Sequence, residues 1–273
     1  MPVGDVLILL VVGLAAGLLG GLLGIGGSIV LIPVLSLLLD KSQHLAQASA
    51  MIVNVCVAAP SALNHHRAGV VRWDVLTRML PAGIILILVG VFISDLFTRE
   101  SEDVLKRIFG IFLVYVVVMN ILEIAKRNGR SRDESVPAQV VSWSRCSSVG
   151  GVTGFLGGLL GIGGGVIAVP LLQRVCRLPL RQCIGTSSAA IVLTALVGAI
   201  TKNITLPTHV DAAGEAIRIS DSLIIAAVLA PTAIVGGLIG AKLTHVLPLA
   251  WVRAVLLVLL SVAAMRLIGY WPW

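Results

Sequence analysis

The sequence predicts an all-α polytopic membrane protein made of two inverted four-segment repeats. Each repeat is a glycine-broken, re-entrant-like helix hairpin followed by three transmembrane helices. Three observations lead there. Hydrophobic residues are 58% and charged residues 12% of the 273 residues, with a mean hydropathy of +1.04. A soluble globular chain carries roughly 25% charged residues. Apolar runs of membrane length recur along the chain, and its two halves repeat one another in order. This composition excludes a soluble enzyme and a disordered chain. The net charge of +7 does not mark a nucleic-acid binder. The basic residues sit in short connections between apolar runs, where positive-inside residues belong.

A crossing helix needs about 20 apolar residues. The first apolar stretch, 5–39, is longer than that and is interrupted by glycines near its middle. Single spans follow at 45–64, 79–97 and 108–124. Residues 125–145, with Arg130, Arg132, Asp133, Glu134 and Pro137, read as a linker. A second glycine-broken stretch covers 146–172, and single spans follow at 183–201, 222–241 and 249–268. The expected organisation is a first membrane repeat over 1–124, a cytoplasmic linker over 125–145 and a second membrane repeat over 146–273.

The repeat is plainest at the glycines. Residues 17–35 read GLLGGLLGIGGSIVLIPVL and residues 154–172 read GFLGGLLGIGGGVIAVPLL, identical at 12 of 19 positions at an offset of 137. Pro81 and Gly90 are spaced like Pro231 and Gly240, and Arg107 and Met119 like Arg253 and Met265. The basic residues choose between two topologies. If each broken stretch were one plain crossing, lysine and arginine would divide 11 to 9 between the faces. If each turns back at its glycines, 13 of the 20 share one face. The second arrangement carries the usual bias. It makes the halves inverted, with both termini outside and the linker cytoplasmic.

Irregular backbone survives in a bilayer only where protein buries it or a cavity adjoins it. Gly24-Ile25-Gly26-Gly27-Ser28 and Gly161-Ile162-Gly163-Gly164-Gly165 therefore face the protein interior. After each, the chain resumes an apolar pattern, so a short helix starts at mid-depth. Free N–H groups and the positive end of its dipole suit an anion without a charged side chain. We take Gly26, Gly27, Ser28, Gly163, Gly164 and Gly165 as candidate substrate-binding residues. Gly13, Gly17, Gly21, Gly154, Gly158, Gly236 and Gly240, at four-residue spacings, fit close helix packing instead. Ser49, Asn54, Thr186, Ser187 and Ser188 lie on the spans that follow and can bond anion oxygens. The competing reading has these hydroxyls bonding their own helix. Arg107 and Arg253 lie at span ends, where snorkelling anchors are the default.

No acidic residue lies at the centre of a span; Asp95 and Glu123 are at ends. Cation and proton carriers usually keep one. No nucleophile–base pair sits at depth, so an enzyme is not expected. No cofactor or metal is expected, and Cys56, Cys146, Cys176 and Cys183 read as small apolar residues. The expected partners are a small anionic substrate and the lipid bilayer, not nucleic acid; no pattern speaks to oligomeric state.

The doubled motif, Gly20 to Pro33 and Gly157 to Pro170, resembles the sulfite exporter TauE/SafE family. So does Gly185-Thr186-Ser187 at the start of its span; the first half departs there, with Gln47-Ala48-Ser49-Ala50. The resemblance covers both halves. It implies a multi-pass transporter in the bacterial inner membrane, moving sulfite, thiosulfate or organosulfonates such as sulfoacetate. Export without a coupling ion, coupled uptake and a membrane scaffold are the alternatives. Valine at Gly27 or Gly164 is expected to abolish binding in a folded protein.

Overall fold

The computed structural model describes residues 3–127, 142–211, 214–244 and 249–269. Within them lie ten α-helices: α1 (Val3–Leu23), α2 (Ser28–Leu37), α3 (Gln43–Arg67), α4 (Trp73–Asp95), α5 (Glu102–Arg127), α6 (Trp143–Leu160), α7 (Gly165–Val175), α8 (Leu180–Thr205), α9 (Ile219–Leu243) and α10 (Leu249–Ile268). No strand is present among the described residues beyond an isolated bridge between Val210 and Ala216. Six helices are long and apolar enough to cross a membrane: α1, α3, α4, α5, α8 and α9. The all-α polytopic reading therefore holds. Both ends of the expected 125–145 linker are helical, since α5 runs to Arg127 and α6 begins at Trp143. Residues 128–141 of that linker lie outside the described residues.

Glycines set the packing. Helix α1 lies parallel to α9, with Gly13 against Leu229 and Thr232, Gly17 against Ala233, and Gly21 against Gly237 and Ala241. Helix α6 lies parallel to α4 in the same way, with Gly150 against Met79, Gly154 against Gly83, and Gly158 against Ile87 and Val91. The first helix of each half thus packs on the second of the three helices that follow the hairpin in the other half. Such contacts bring backbones together where a side chain would hold them apart. A Cβ at Gly17 would run into the Ala233 carbonyl. Gly17→Ala is therefore expected to destabilise the protein by about 1–3 kcal/mol, the usual cost of overpacking. Gly4, with nothing within 4 Å, is the control: Gly4→Ala should melt like the parent in a detergent thermal-unfolding scan.

The same contacts give directions. Helices α3 and α8 run antiparallel at the centre: His44 meets Lys202, Met51 meets Gly198, and His65 meets Gly185. They are the most enclosed spans, each 67% buried over its apolar window. The start of α3 therefore lies with the end of α8, and so with the start of α9 and of α1. Chain that leaves with α1 comes back with α2 to the end it started from. Helices α6 and α7 do the same from the opposite end, because α6 starts beside the start of α4. The two glycine-broken stretches are hairpins entering from opposite ends of the bundle.

Candidate functional site

The two hairpin turns meet at Asn54. This residue lies 11 positions into α3 and 13 from its end, so about 17 Å from its start and about 20 Å from its end at 1.5 Å per residue. Its Oδ1 accepts the N–H of Gly27 at 2.7 Å and of Ser28 at 2.9 Å. Its Nδ2 donates to Ser28 Oγ at 2.7 Å and to the Ile162 carbonyl, in the other hairpin, at 3.0 Å. Two N–H groups at one atom leave no doubt which end of the amide is oxygen. One side chain thus caps the α2 N-terminus and ties the first hairpin to the second. It is fully buried.

Local backbone explains why glycine occupies these turns. Gly24, Gly26, Gly161, Gly163 and Gly164 all have positive φ, between 64° and 85°. A Cβ on Gly26 would lie 2.7 Å from Asn54 Oδ1, and one on Gly165 2.7 Å from the Ile25 carbonyl. Gly27 differs: its φ is −87°, and a Cβ there would meet nothing nearer than Ala16 at 3.4 Å. Its glycine is not demanded by conformation.

Of the expected residues, Gly26, Gly27, Ser28, Asn54, Gly163, Gly165 and Ser187 come together. Ser187 Oγ donates to the Gly24 carbonyl at 2.9 Å and to the Gly165 carbonyl at 3.4 Å, touching both hairpins. Gly164 caps α7 from the same turn. Ser49 bonds its own helix at the Leu45 carbonyl, and Thr186 accepts the Arg72 N–H in the α3–α4 connection. Neither reaches a hairpin turn through a hydrogen bond. Ser188 is buried, with no hydrogen-bond partner for its hydroxyl. Thr194 was not anticipated; it donates to the Gly163 carbonyl at 3.0 Å. It lies seven residues after Ser187 on α8, two turns along one face, and that spacing was available in the sequence.

The halves are not equivalent here. The offset of 137 places Ile191 where Asn54 stands in the first half. Asn54 occupies the α2 N-terminus, whereas no side-chain acceptor among the described residues meets the N–H groups of Gly164, Gly165 or Val166. Beside them is a cavity of about 10 Å³, lined by Gly163, Gly164, Gly165, Ser187, Ile191 and Thr194 among others. That is room for about one water molecule. No lysine or arginine lines it. An anion there would be held by N–H dipoles and by hydroxyls turned away from the carbonyls they now serve, after the helices part.

A second polar cluster lies at the end of the bundle where α3 starts. Lys202, fully buried, donates to Asp95 Oδ1 at 2.5 Å, to His44 Nδ1 at 2.8 Å and to Ser94 Oγ at 3.1 Å. His209 stacks on His44 with ring centroids 3.7 Å apart, and its Nε2 lies 3.3 Å from Asp95 Oδ1. The sequence reading placed Lys202 in a connection, one residue past an expected span. Helix α8 continues through it.

The sulfite exporter TauE/SafE family model matches residues 9–267. The chain belongs to this family. Its curated relatives include "Probable membrane transporter protein MamO" of Paramagnetospirillum magneticum, 27% identical over 290 residues. That match covers 97% of this chain and 45% of MamO, so the chain spans less than half of that relative's length. A "Probable membrane transporter protein" of Haemophilus influenzae is 31% identical over 202 residues, covering 71% of this chain and 72% of that one. Bacillus subtilis YunE, with the same form of name, is 28% identical over 218 residues, covering 71% and 76%. No solved structure matches. The family and the six candidate spans make the chain a multi-pass membrane protein.

Proposed function

We propose that this TauE/SafE member is a transporter, not an enzyme, that exports small sulfur-containing oxyanions by alternating access. Sulfite, thiosulfate and organosulfonates such as sulfoacetate are the substrate class, and the bacterial inner membrane is the location. One observation carries the reading: two glycine turns from opposite ends of the bundle meet at Asn54 at mid-depth. Discontinuous helices whose N-termini end mid-membrane are how many transporters hold anionic groups. Reciprocal packing of α1 on α9 and α6 on α4 supports two inverted repeats, 1–124 and 146–273, that rock against each other. The water-sized cavity fits a closed state in which neither end admits the anion. The family name supplies the sulfur; backbone N–H groups do not distinguish it.

The excess of basic residues puts the start of α3 outside and the linker in the cytoplasm. Single cysteines at Glu100 and Asp211 are then expected to react from outside, and one at Arg177 from the cytoplasm. A cysteine at Asn128, in the linker, falls outside the described residues. Labelling of Arg177 and Asp211 positions from one face would contradict the orientation. Outward movement is favoured by an inside-negative potential, about 2.3 kcal/mol per charge per 100 mV. The experiment is flux from proteoliposomes of sulfite, thiosulfate, sulfoacetate, sulfate and rubidium. Selective, potential-stimulated loss of the first three supports the proposal; rubidium flux or none contradicts it. The buried His44–Asp95–Lys202–His209 cluster favours a second reading, in which a proton accompanies the conformational change.

A further inference from the structure

We propose that His44, Asp95, Lys202 and His209 form a proton-binding latch that holds the α3-start end of the bundle closed. Opening takes up one proton, on His44. Donors and acceptors fix the closed state. An ammonium has three N–H groups. Those of Lys202 go to Asp95, His44 Nδ1 and Ser94. His44 Nε2 lies 2.7 Å from the Phe97 carbonyl, which only accepts, so Nε2 carries the ring proton and Nδ1 is the free acceptor. The closed latch therefore requires neutral His44, ionised Asp95 and charged Lys202. A proton from solution arriving at Nδ1 replaces an acceptor with an N–H facing an N–H. It also adds a second cation beside Lys202. The hydrogen bond from Lys202 to His44 is lost and no other bond is made or broken.

The latch joins the two halves. His44, Ser94 and Asp95 come from the first, and Lys202 and His209 from the second. Its reach extends to the hairpin: Ser94 Oγ donates to Gln47 Oε1 at 3.0 Å, and Gln47 Nε2 to the Leu159 carbonyl at 3.3 Å. A Cβ on Gly161, in that hairpin's turn, would lie 2.5 Å from Gln47 Cγ. His44 is ten residues before Asn54 on α3, about 15 Å away along the axis. A path from Asn54 to this end, between the halves, has to part these side chains.

Every titratable or charged group facing His44 among the described residues belongs to this picture. Asp95 comes from α4, Lys202 from α8 and His209 from the α8–α9 connection, with the Thr205 hydroxyl also directed at Asp95. From α5, Glu102 accepts the N–H of Gln43 at 2.6 Å and pairs with Lys106 at 3.3 Å. His44, Asp95 and His209 have ligand atoms close enough together for a metal ion, but Lys202 already supplies the cation there. Histidine ordinarily titrates near pH 6.5. In the opened latch, where water reaches the ring, His44 takes its proton in that range, so opening becomes progressively more favourable as pH falls below it and gains nothing above it.

The inference rests on the transporter reading only for what the opening serves, and its test needs no substrate. Met51, one turn deeper than Gln47 on α3 and fully buried, becomes a reporter as Met51→Cys in a background lacking the four native cysteines. The full chain is reconstituted in nanodiscs, so a polar thiol reagent reaches both faces. Rates are divided by those of exposed Thr98→Cys, which carries the reagent's own pH dependence. Between about pH 7.5 and about pH 5.5 the normalised rate is expected to rise about tenfold, as a single histidine proton permits. His44→Gln keeps an acceptor for Lys202 without the titration. It should fold, melt like the parent and lose the pH response. A parent rate that does not change with pH, or a His44→Gln rate that still does, overturns the latch. Neither result depends on anion flux, which tests the transporter reading separately.

Discussion

Asn54→Leu should cost the protein several kcal/mol and remove anion binding together. Leucine nearly matches the side chain in size and forms no hydrogen bond. The N–H groups of Gly27 and Ser28, the Ser28 hydroxyl and the Ile162 carbonyl each lose their bond to Asn54. A buried polar group left unpaired costs about 1–3 kcal/mol. Partial relief by rotation of the Ser28 hydroxyl leaves on the order of 3–6 kcal/mol. Asn54→Asp is the informative partner. It keeps an acceptor for Gly27 and Ser28 but loses both donations. Its negative charge faces the Ile162 carbonyl and any approaching anion. Asn54→Asp is expected to fold and to bind sulfite or sulfoacetate at least tenfold more weakly, about 1.4 kcal/mol. Thermal unfolding and equilibrium binding on the purified proteins check both. A stable Asn54→Leu variant that binds like the parent would show that the hairpins do not depend on this residue.

Gly164→Val is expected to prevent folding. Gly164 has φ of 85°, and its Cβ would lie 2.5 Å from the Thr153 carbonyl. A β-branched residue in that conformation is strained by about 1–3 kcal/mol before any clash. Gly27→Ala is expected to fold and melt within about 1 kcal/mol of the parent, because its φ is already helical and space exists. The matched glycines of the two repeats are thus unequal. The sequence-based expectation of one clean phenotype for valine at both positions does not follow from the geometry. Detergent-solubilised yield and monodispersity distinguish the two. Equal yields for Gly164→Val and the parent would contradict the backbone account.

Hydropathy carries most of the fold because a bilayer leaves few ways to satisfy a backbone. Five of the six single spans fall inside a helix, the sixth, 79–97, overruns the end of α4 by two residues, and α10 matches its expected bounds, 249–268. The hairpins were legible because the glycines around Gly26–Gly27 and Gly163–Gly164 interrupt two apolar stretches, 5–39 and 146–172, that are too long for one crossing. Asn54 was legible as a lone amide in an apolar run. Its partners were not, because they are backbone atoms of segments 26 and 108 residues away. Ser49 and Thr186, both taken as candidates to bond an anion, form their hydrogen bonds away from the turns. A hydroxyl can be satisfied by its own helix, and Ser49 is. The Lys202 cluster escaped because a hydropathy span ends where charges begin. Its burial depends on Asp95, 107 residues earlier in the chain.

The most direct test of the central claim is alkylation of Thr194→Cys, on the wall of the cavity beside the second hairpin turn. In right-side-out and inside-out vesicles of a background lacking the native cysteines, an impermeant thiol reagent should reach this position slowly from both faces. Sulfite or sulfoacetate should protect it, while sulfate and chloride should not. Reaction from one face alone, or no protection by any sulfur oxyanion, would contradict an alternating-access anion site at the meeting of the two glycine turns.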